Sequence, residues 1–131
     1  MRVRTPMKKL TGICIITHDV PRLRDFYRVL LQVEPQGDDV FAIFALPEMQ
    51  LSLCSALVME QMAPGALAGA GHGHYTLEIE VDDVDGEHRR LSALGTPIVK
   101  PPTTQPWGLC SVWLRDPDGN LICLYHAGTN R

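Results

Sequence analysis

Residues 13–30 read ICIITHDVPRLRDFYRVL, and residues 77–94 read LEIEVDDVDGEHRRLSAL. The two stretches superpose without a gap and place Asp19 on Asp83. Each begins with alternating side chains, which is typical of a strand with one buried face, and continues with apolar residues at helical spacing. The repeat therefore predicts two copies of one unit, in which a strand is followed by a helix that covers one of its faces.

The ends of both predicted helices are marked by residues with strong local preferences. Asp19 and Asp83 are N-cap candidates, because a short carboxylate accepts hydrogen bonds from the unpaired N–H groups of the first helical turn. Pro21 is tolerated because it falls in that first turn, and Gly95 with Pro97 ends the second helix. Two apolar stripes should pack against the strands: Val20, Leu23, Tyr27 and Leu30 in the first helix, and Val84, His88, Leu91 and Leu94 in the second.

Weaker strand signals follow each helix. Apolar or alternating runs predict strands at Val40–Leu46, Gln50–Cys54, Leu109–Arg115 and Leu121–Tyr125, with fainter signals at 33–37 and 98–100. The sequence Asp-Pro-Asp-Gly at 116–119 predicts a turn before the last strand. Each half of the chain is therefore predicted to have the order βαβββ.

We expect an α+β fold made of two βαβββ modules in tandem, within a single domain that spans residues 1–131. Module one covers about residues 10–58, and module two covers about residues 74–126. Residues 62–73 between them are rich in Gly, Ala and Pro, which predicts a linker. Because a helix covers one face of each sheet, we expect function on the opposite face.

Composition argues against several functional classes. A net charge of −3 over 131 residues gives no general attraction to nucleic acid or to anionic membranes. No apolar run approaches the roughly 18 residues of a membrane span, and no secretory signal fits, so we expect a cytoplasmic protein. The basic cluster at the start is expected to be a solvated tail: Arg2, Arg4, Lys8 and Lys9. The four cysteines lack CxxC spacing and are expected to be free thiols buried in strands: Cys14, Cys54, Cys110 and Cys123.

Several motifs, in order along the chain, resemble those of one protein superfamily. They are HDVPRLRDFYRVL at 18–30, EVDDVDGEHRRLSALG at 80–95, PWG at 106–108 and DPDGNLICL at 116–124, and the resemblance extends from about residue 10 to 126. This set resembles the glyoxalase/bleomycin resistance/dioxygenase superfamily, also called vicinal oxygen chelate proteins. The resemblance implies a glyoxalase-like fold whose curled sheets form a ligand cleft, a homodimer and, in the enzymes, a divalent metal held by His, Gln or Glu.

Carried over position by position, the metal ligands of that superfamily fall on Gly12, Ser52, Thr76 and Cys123. Gly12 has no side chain, and the hydroxyls of Ser52 and Thr76 are poor ligands beside carboxylate or imidazole. A single thiol does not make a metal site. We therefore expect no metal, no cofactor and no catalytic residue. Members without ligands resemble antibiotic-sequestering proteins, such as bleomycin resistance proteins, which bind without chemistry.

Strand parity predicts what lines the cleft, because side chains two residues apart share a face. Trp113 is assigned to the cleft, and Trp107 comes from the loop before its strand. The predicted ligand-binding residues are Ser52, Thr76, Glu78, Glu80, Trp107, Trp113, Cys123 and Tyr125. Aromatic rings and a few polar groups suit a flat organic small molecule, and the two glutamates favour a cationic one.

Other interpretations of these residues remain open. The alternating glutamates fit a solvated strand face, Trp113 fits packing at a dimer interface, and Tyr125 fits the core. Three cysteines are predicted to share the cleft face, which leaves a thiol-based site open.

Two other functions also remain open. His74, with or without His72, would form a displaced metal site with Glu78. The protein would then be a metal-dependent lyase, isomerase or ring-cleaving dioxygenase. The third function is that of a structural or regulatory module which dimerises and has lost its ligand.

Overall fold

The structure is a computed structural model that describes residues 8–127. The expected solvated tail lies partly outside these described residues, since Arg2 and Arg4 precede them. Lys8 and Lys9 are both exposed. The chain divides into two compact units, with the boundary between Leu67 and Ala68.

The first unit is a four-stranded sheet with two helices. Its elements are β1 (Gly12–Thr17), α1 (Val20–Leu31), β2 (Gln36–Gly37), β3 (Phe41–Leu46), β4 (Met49–Ser55) and α2 (Ala56–Met62). The strand order is β1-β4-β3-β2, with β1 parallel to β4 and the other neighbours antiparallel.

The second unit repeats the sheet and the first helix, and its described residues contain no counterpart of α2. Its elements are β5 (Thr76–Glu80), α3 (Val84–Ala93), β6 (Ile98–Thr104), β7 (Cys110–Arg115) and β8 (Leu121–His126). The strand order is β5-β8-β7-β6, with β5 parallel to β8. The α+β fold of two tandem βαβββ modules is therefore confirmed, and neither sheet closes on itself.

The repeated aspartates cap the helices as predicted. The Asp19 carboxylate accepts a hydrogen bond from the backbone N–H of Arg22 at 3.1 Å, and the Asp83 carboxylate accepts one from Gly86 at 3.0 Å. Each cap satisfies a backbone donor that has no partner within the helix. An aspartate therefore forms the N-cap of the helix at the equivalent position of both units.

Each unit has its own apolar core between helix and sheet. In the first unit, the Tyr27 ring lies edge-on to Phe44, with ring centroids 6.4 Å apart, and both side chains are fully buried. In the second unit, the buried face of the sheet is aliphatic: Leu77, Val112, Leu114, Ile122 and Leu124. Val84 and Leu91 of α3 are buried with them. Among the described residues, no helix is long and apolar enough to cross a bilayer.

Some sequence expectations about these elements are wrong. Leu94 is 60% exposed because α3 ends at Ala93, so Leu94 forms the C-cap instead of the last residue of the apolar stripe. Cys14 is exposed because it alternates with Ile15, which faces the core. Helix α2 was not predicted, although Ser55 accepts a hydrogen bond from the Val58 N–H as its N-cap.

The turn before β8 is held by a buried carboxylate. Asp116 is 4% exposed, and it accepts hydrogen bonds from the backbone N–H groups of Asp118 and Asn120 and from the Asn120 side-chain amide, at 2.8–2.9 Å. The Tyr75 hydroxyl donates to the Asn120 side-chain oxygen at 3.0 Å, which ties the residue before β5 to the same turn. This network positions the first residues of β8.

We predict that Asp116→Ala lowers the free energy of unfolding by about 2 kcal/mol, because it leaves buried donors without their acceptor. Urea denaturation followed by circular dichroism measures the change. Asp118→Ala is the matched control, since this exposed residue contributes its backbone N–H, which the substitution keeps. Equal free energies of unfolding for the two variants would show that the Asp116 carboxylate does not stabilise the turn.

Candidate functional site

Alternation along β5 separates the two faces of the second sheet. Leu77 is 6% exposed and belongs to the core of the second unit, whereas Glu78 and Glu80 are exposed. We call the face turned away from α3 the outer face. Because register partners in adjacent strands share a face, the strand pairings identify the other residues on it.

Two rows of side chains cross the outer face. In the first row, Glu78 pairs with Cys123 of β8, and Cys123 pairs with Trp113 of β7. In the second row, Glu80 pairs with Tyr125, which pairs with Ser111. The side chains of Trp113 and Tyr125 are partly exposed. Thr76 starts a third row and pairs with Leu121. Six of the eight predicted ligand-binding residues therefore lie on one face of one sheet.

The side chain of Glu78 acts on the thiol beside it. Cys123 is 5% exposed, and burial raises the pKa of its thiol. The negative charge of Glu78 raises that pKa further, whereas a hydrogen bond with the Ser111 side chain lowers it. The two residues are register partners on adjacent strands, so their side chains share the outer face. The first row therefore brings an anion next to a small thiol, with the indole one strand further on.

The other two predicted residues lie elsewhere. Ser52 belongs to β4 of the first sheet, where it is 6% exposed and pairs with Cys14. Trp107 lies in the loop between β6 and β7 and is 73% exposed. That loop is turned by a hydrogen bond from the Gly108 N–H to the Gln105 carbonyl. Neither residue belongs to the rows described above.

Two further residues in these rows were not predicted. Ser111 lies two residues before Trp113, so strand parity could have found it. Lys100 of β6 is the register partner of Trp113 and is exposed. Alternation along β6 does not indicate that Lys100 lies on the outer face, because the pairing register changes both before and after this residue.

The family metal positions do not fit a divalent cation. A Cβ added to Gly12 would lie 2.7 Å from the backbone oxygen of Gln50, so a longer ligand side chain has no room there without a backbone shift. The remaining positions offer the hydroxyls of Ser52 and Thr76 and the single thiol of Cys123, which do not make the donor set of a divalent-metal site. Within residues 8–127, no three or more His, Cys, Asp and Glu side chains are grouped to hold a metal.

The displaced metal site considered for the loop histidines gains no support from the geometry. His72 and His74 are exposed in the segment before β5.

A cavity of about 290 Å³ in the first unit, at the β3–β4 turn, contains none of the predicted ligand-binding residues. It is lined by Lys9, Thr11, Ala45, Leu46, Glu48, Met49 and Gln50.

The closeness of Glu78 and Cys123 has a chemical consequence. We predict that Glu78→Gln makes Cys123 react faster with iodoacetamide, because loss of the negative charge lowers the thiol pKa and increases the thiolate fraction. Mass spectrometry of peptides after timed labelling measures the rate at this cysteine. Glu80→Gln is the control, since Glu80 pairs with Tyr125 instead. An unchanged rate in Glu78→Gln, or the same increase in both variants, would contradict the geometry.

Comparison with known proteins identifies the family of the chain. Residues 9–124 match the model of the Glyoxalase/Bleomycin resistance protein/Dioxygenase superfamily. The chain is 27% identical over 124 residues to the uncharacterized protein YraH of Bacillus subtilis, which covers 89% of this chain and 97% of that protein.

Two solved structures show the same fold. A glyoxalase/bleomycin resistance protein/dioxygenase from Nocardioides has a TM-score of 0.78 at 23% identity, covering 98% of this chain and 92% of that one. Lactoylglutathione lyase from Agrobacterium tumefaciens has a TM-score of 0.72 at 22% identity, covering 94% and 96%. Given the match over most of its length, the chain belongs to the glyoxalase/bleomycin resistance protein/dioxygenase superfamily.

Proposed function

We propose that the protein binds a small molecule without metal catalysis, and that it sequesters or senses a flat, cationic organic ligand on the outer face of its second sheet. The observation that carries this proposal is the row Glu78–Cys123–Trp113. It presents a carboxylate and an indole on one face, with backbones two strand spacings or about 10 Å apart. Tyr125 adds a second ring beside this row.

The two kinds of side chain favour one kind of ligand. An indole or phenol ring gains dispersion energy from a flat ring system laid on it, and its negative face attracts a cation. The carboxylates of Glu78 and Glu80 add Coulomb attraction for the same charge. Because both glutamates are exposed, each ion pair contributes little alone. Affinity should therefore come from the rings, and preference for a cation should come from the carboxylates.

The donor set of this chain supports binding over metal chemistry. A superfamily relative of the same fold is a lactoylglutathione lyase, so the alternative is a metal-dependent lyase, isomerase or ring-cleaving dioxygenase. That alternative needs ligands in addition to Glu78 and the exposed His74. The family positions supply Gly12, whose Cβ direction is blocked by Gln50, the hydroxyls of Ser52 and Thr76, and one thiol at Cys123.

The proposal is tested by isothermal titration calorimetry with proflavine, a flat organic cation. We expect saturable binding, with affinity lowered about two- to fivefold in Glu78→Gln, since an exposed ion pair contributes up to roughly 1 kcal/mol. The effect should shrink at high salt because solvent-exposed charges are screened. Glu34→Gln removes another exposed glutamate, in the first unit, and should bind as the parent does.

Absence of saturable binding, or an equal loss in Glu34→Gln, would contradict the proposal. Metal analysis of protein purified without chelators is the companion measurement. A stoichiometric divalent metal would support the enzymatic alternative instead.

A further inference from the structure

A bulge in β6 determines where Lys100 points. Ile98 pairs with Leu114, which is buried under α3, whereas Lys100 pairs with Trp113 of the outer face. In a regular strand, two residues that are two positions apart share a face. The register shift between Ile98 and Lys100 breaks that rule, with Val99 as the extra residue. Bulges re-aim side chains in this way, so the irregularity turns Lys100 onto the outer face.

The position of β6 in the sheet tolerates this irregularity. β6 is an edge strand, and Pro101 and Pro102 follow Lys100 within it. Proline has no N–H to give to a ladder and is accepted at sheet edges and bulges. A second register shift separates Lys100 from Thr103, which pairs with Ser111. The pairing of Lys100 with Trp113 is therefore separated from the neighbouring pairs by a register shift on each side.

The complete first row runs Glu78–Cys123–Trp113–Lys100 and carries opposite charges at its two ends. Its end strands are three spacings apart, about 14 Å between backbones. Both charged side chains are exposed. They are long enough to lean inward over the thiol and indole between them. A ligand lying along this row meets an anion at one end, an aromatic ring in the middle and a cation at the other end.

We propose that the ligand of this face is an elongated aromatic zwitterion, with an ammonium group held at Glu78, rings over Trp113 and a carboxylate or similar anion held at Lys100. This inference rests on the proposed function and adds the anionic end to it. The alignment of charges also gives the bound ligand a direction along the row.

Lys100 is a better anion partner than Arg115, the other cation of this face. Arg115 pairs with Leu121 in the neighbouring row, and its guanidinium donates a hydrogen bond to the Gly119 carbonyl at 3.1 Å. That contact holds Arg115 against its own turn. Lys100 lies in the row that contains the indole, so one ligand can meet the ring and the ammonium group together.

The test compares two probes that differ only in the anionic end. They are para-linked aminomethyl-biphenyl-carboxylic acid, a zwitterion, and its methyl ester, which keeps the ammonium group and loses the negative charge. Isothermal titration calorimetry is run at low salt on the parent protein, Lys100→Gln, Glu78→Gln and Lys9→Gln. Lys9 is the matched control because it is an exposed lysine of the first unit.

We expect the acid to bind the parent protein about two- to fivefold more tightly than the ester, the size of one exposed ion pair. Lys100→Gln should weaken the acid and not the ester and so remove that difference, Glu78→Gln should weaken both probes, and Lys9→Gln should change neither.

Equal affinity of acid and ester, an acid advantage that survives in Lys100→Gln, or the same loss in Lys9→Gln would overturn the inference. Failure of both probes while proflavine binds would also overturn it, and would leave the proposed function standing. Failure of all three compounds would overturn both proposals.

Discussion

The register of the β5–β8–β7 ladder is the constraint on which the candidate site depends. Leu77 pairs with Ile122, and both are buried in the core of the second unit, which fixes Glu78 beside Cys123 on the outer face. A slip of one residue would move the glutamates into the core and the leucines into water. Burial of those leucine and isoleucine side chains, at about 1.5–3 kcal/mol for each fully buried one, therefore also holds the functional row in place.

The two units use one scaffold for different outer-face chemistry. In the first sheet, Cys14 pairs with Ser52, Ser52 with Ile43, and Ile43 with Gln36. These are the positions that correspond to Glu78, Cys123, Trp113 and Lys100 in the second sheet. A thiol, a hydroxyl, an aliphatic group and an amide thus stand where the second sheet has an anion, a thiol, an indole and a cation. The apolar core is therefore similar in both units, whereas the side chains at equivalent outer-face positions differ.

The sequence was enough to predict the parts of the fold that follow from short-range periodicity. Alternation placed Thr76, Glu78 and Glu80 on one face, and the repeated aspartates marked both helix starts. The sequence pattern did not predict α2, because Ala56 follows β4 directly and only Ser55 indicates the start of a helix. The apolar spacing also predicted that α3 extends to Leu94, because such spacing does not show where the last helical turn ends.

The rest of the candidate site depends on pairing between distant strands. Lys100 reaches the row through a bulge whose effect is visible only when β6 is laid beside β7. Ser52 and Trp107 were predicted to line the cleft from family position and loop location; they lie in β4 and in the β6–β7 loop, outside the rows of the second sheet. The blocked Cβ direction at Gly12 likewise depends on the close approach of β4, which no local pattern records.

The central claim is that the outer face of the second sheet is the binding surface. Two-dimensional ¹H–¹⁵N NMR of labelled protein titrated with proflavine tests it most directly. We expect saturable shifts at the amides of Glu78 and Cys123 and at the indole N–H of Trp113. Shifts confined to the first unit, for example at Lys9 and Gln50 around the β3–β4 turn, would contradict it.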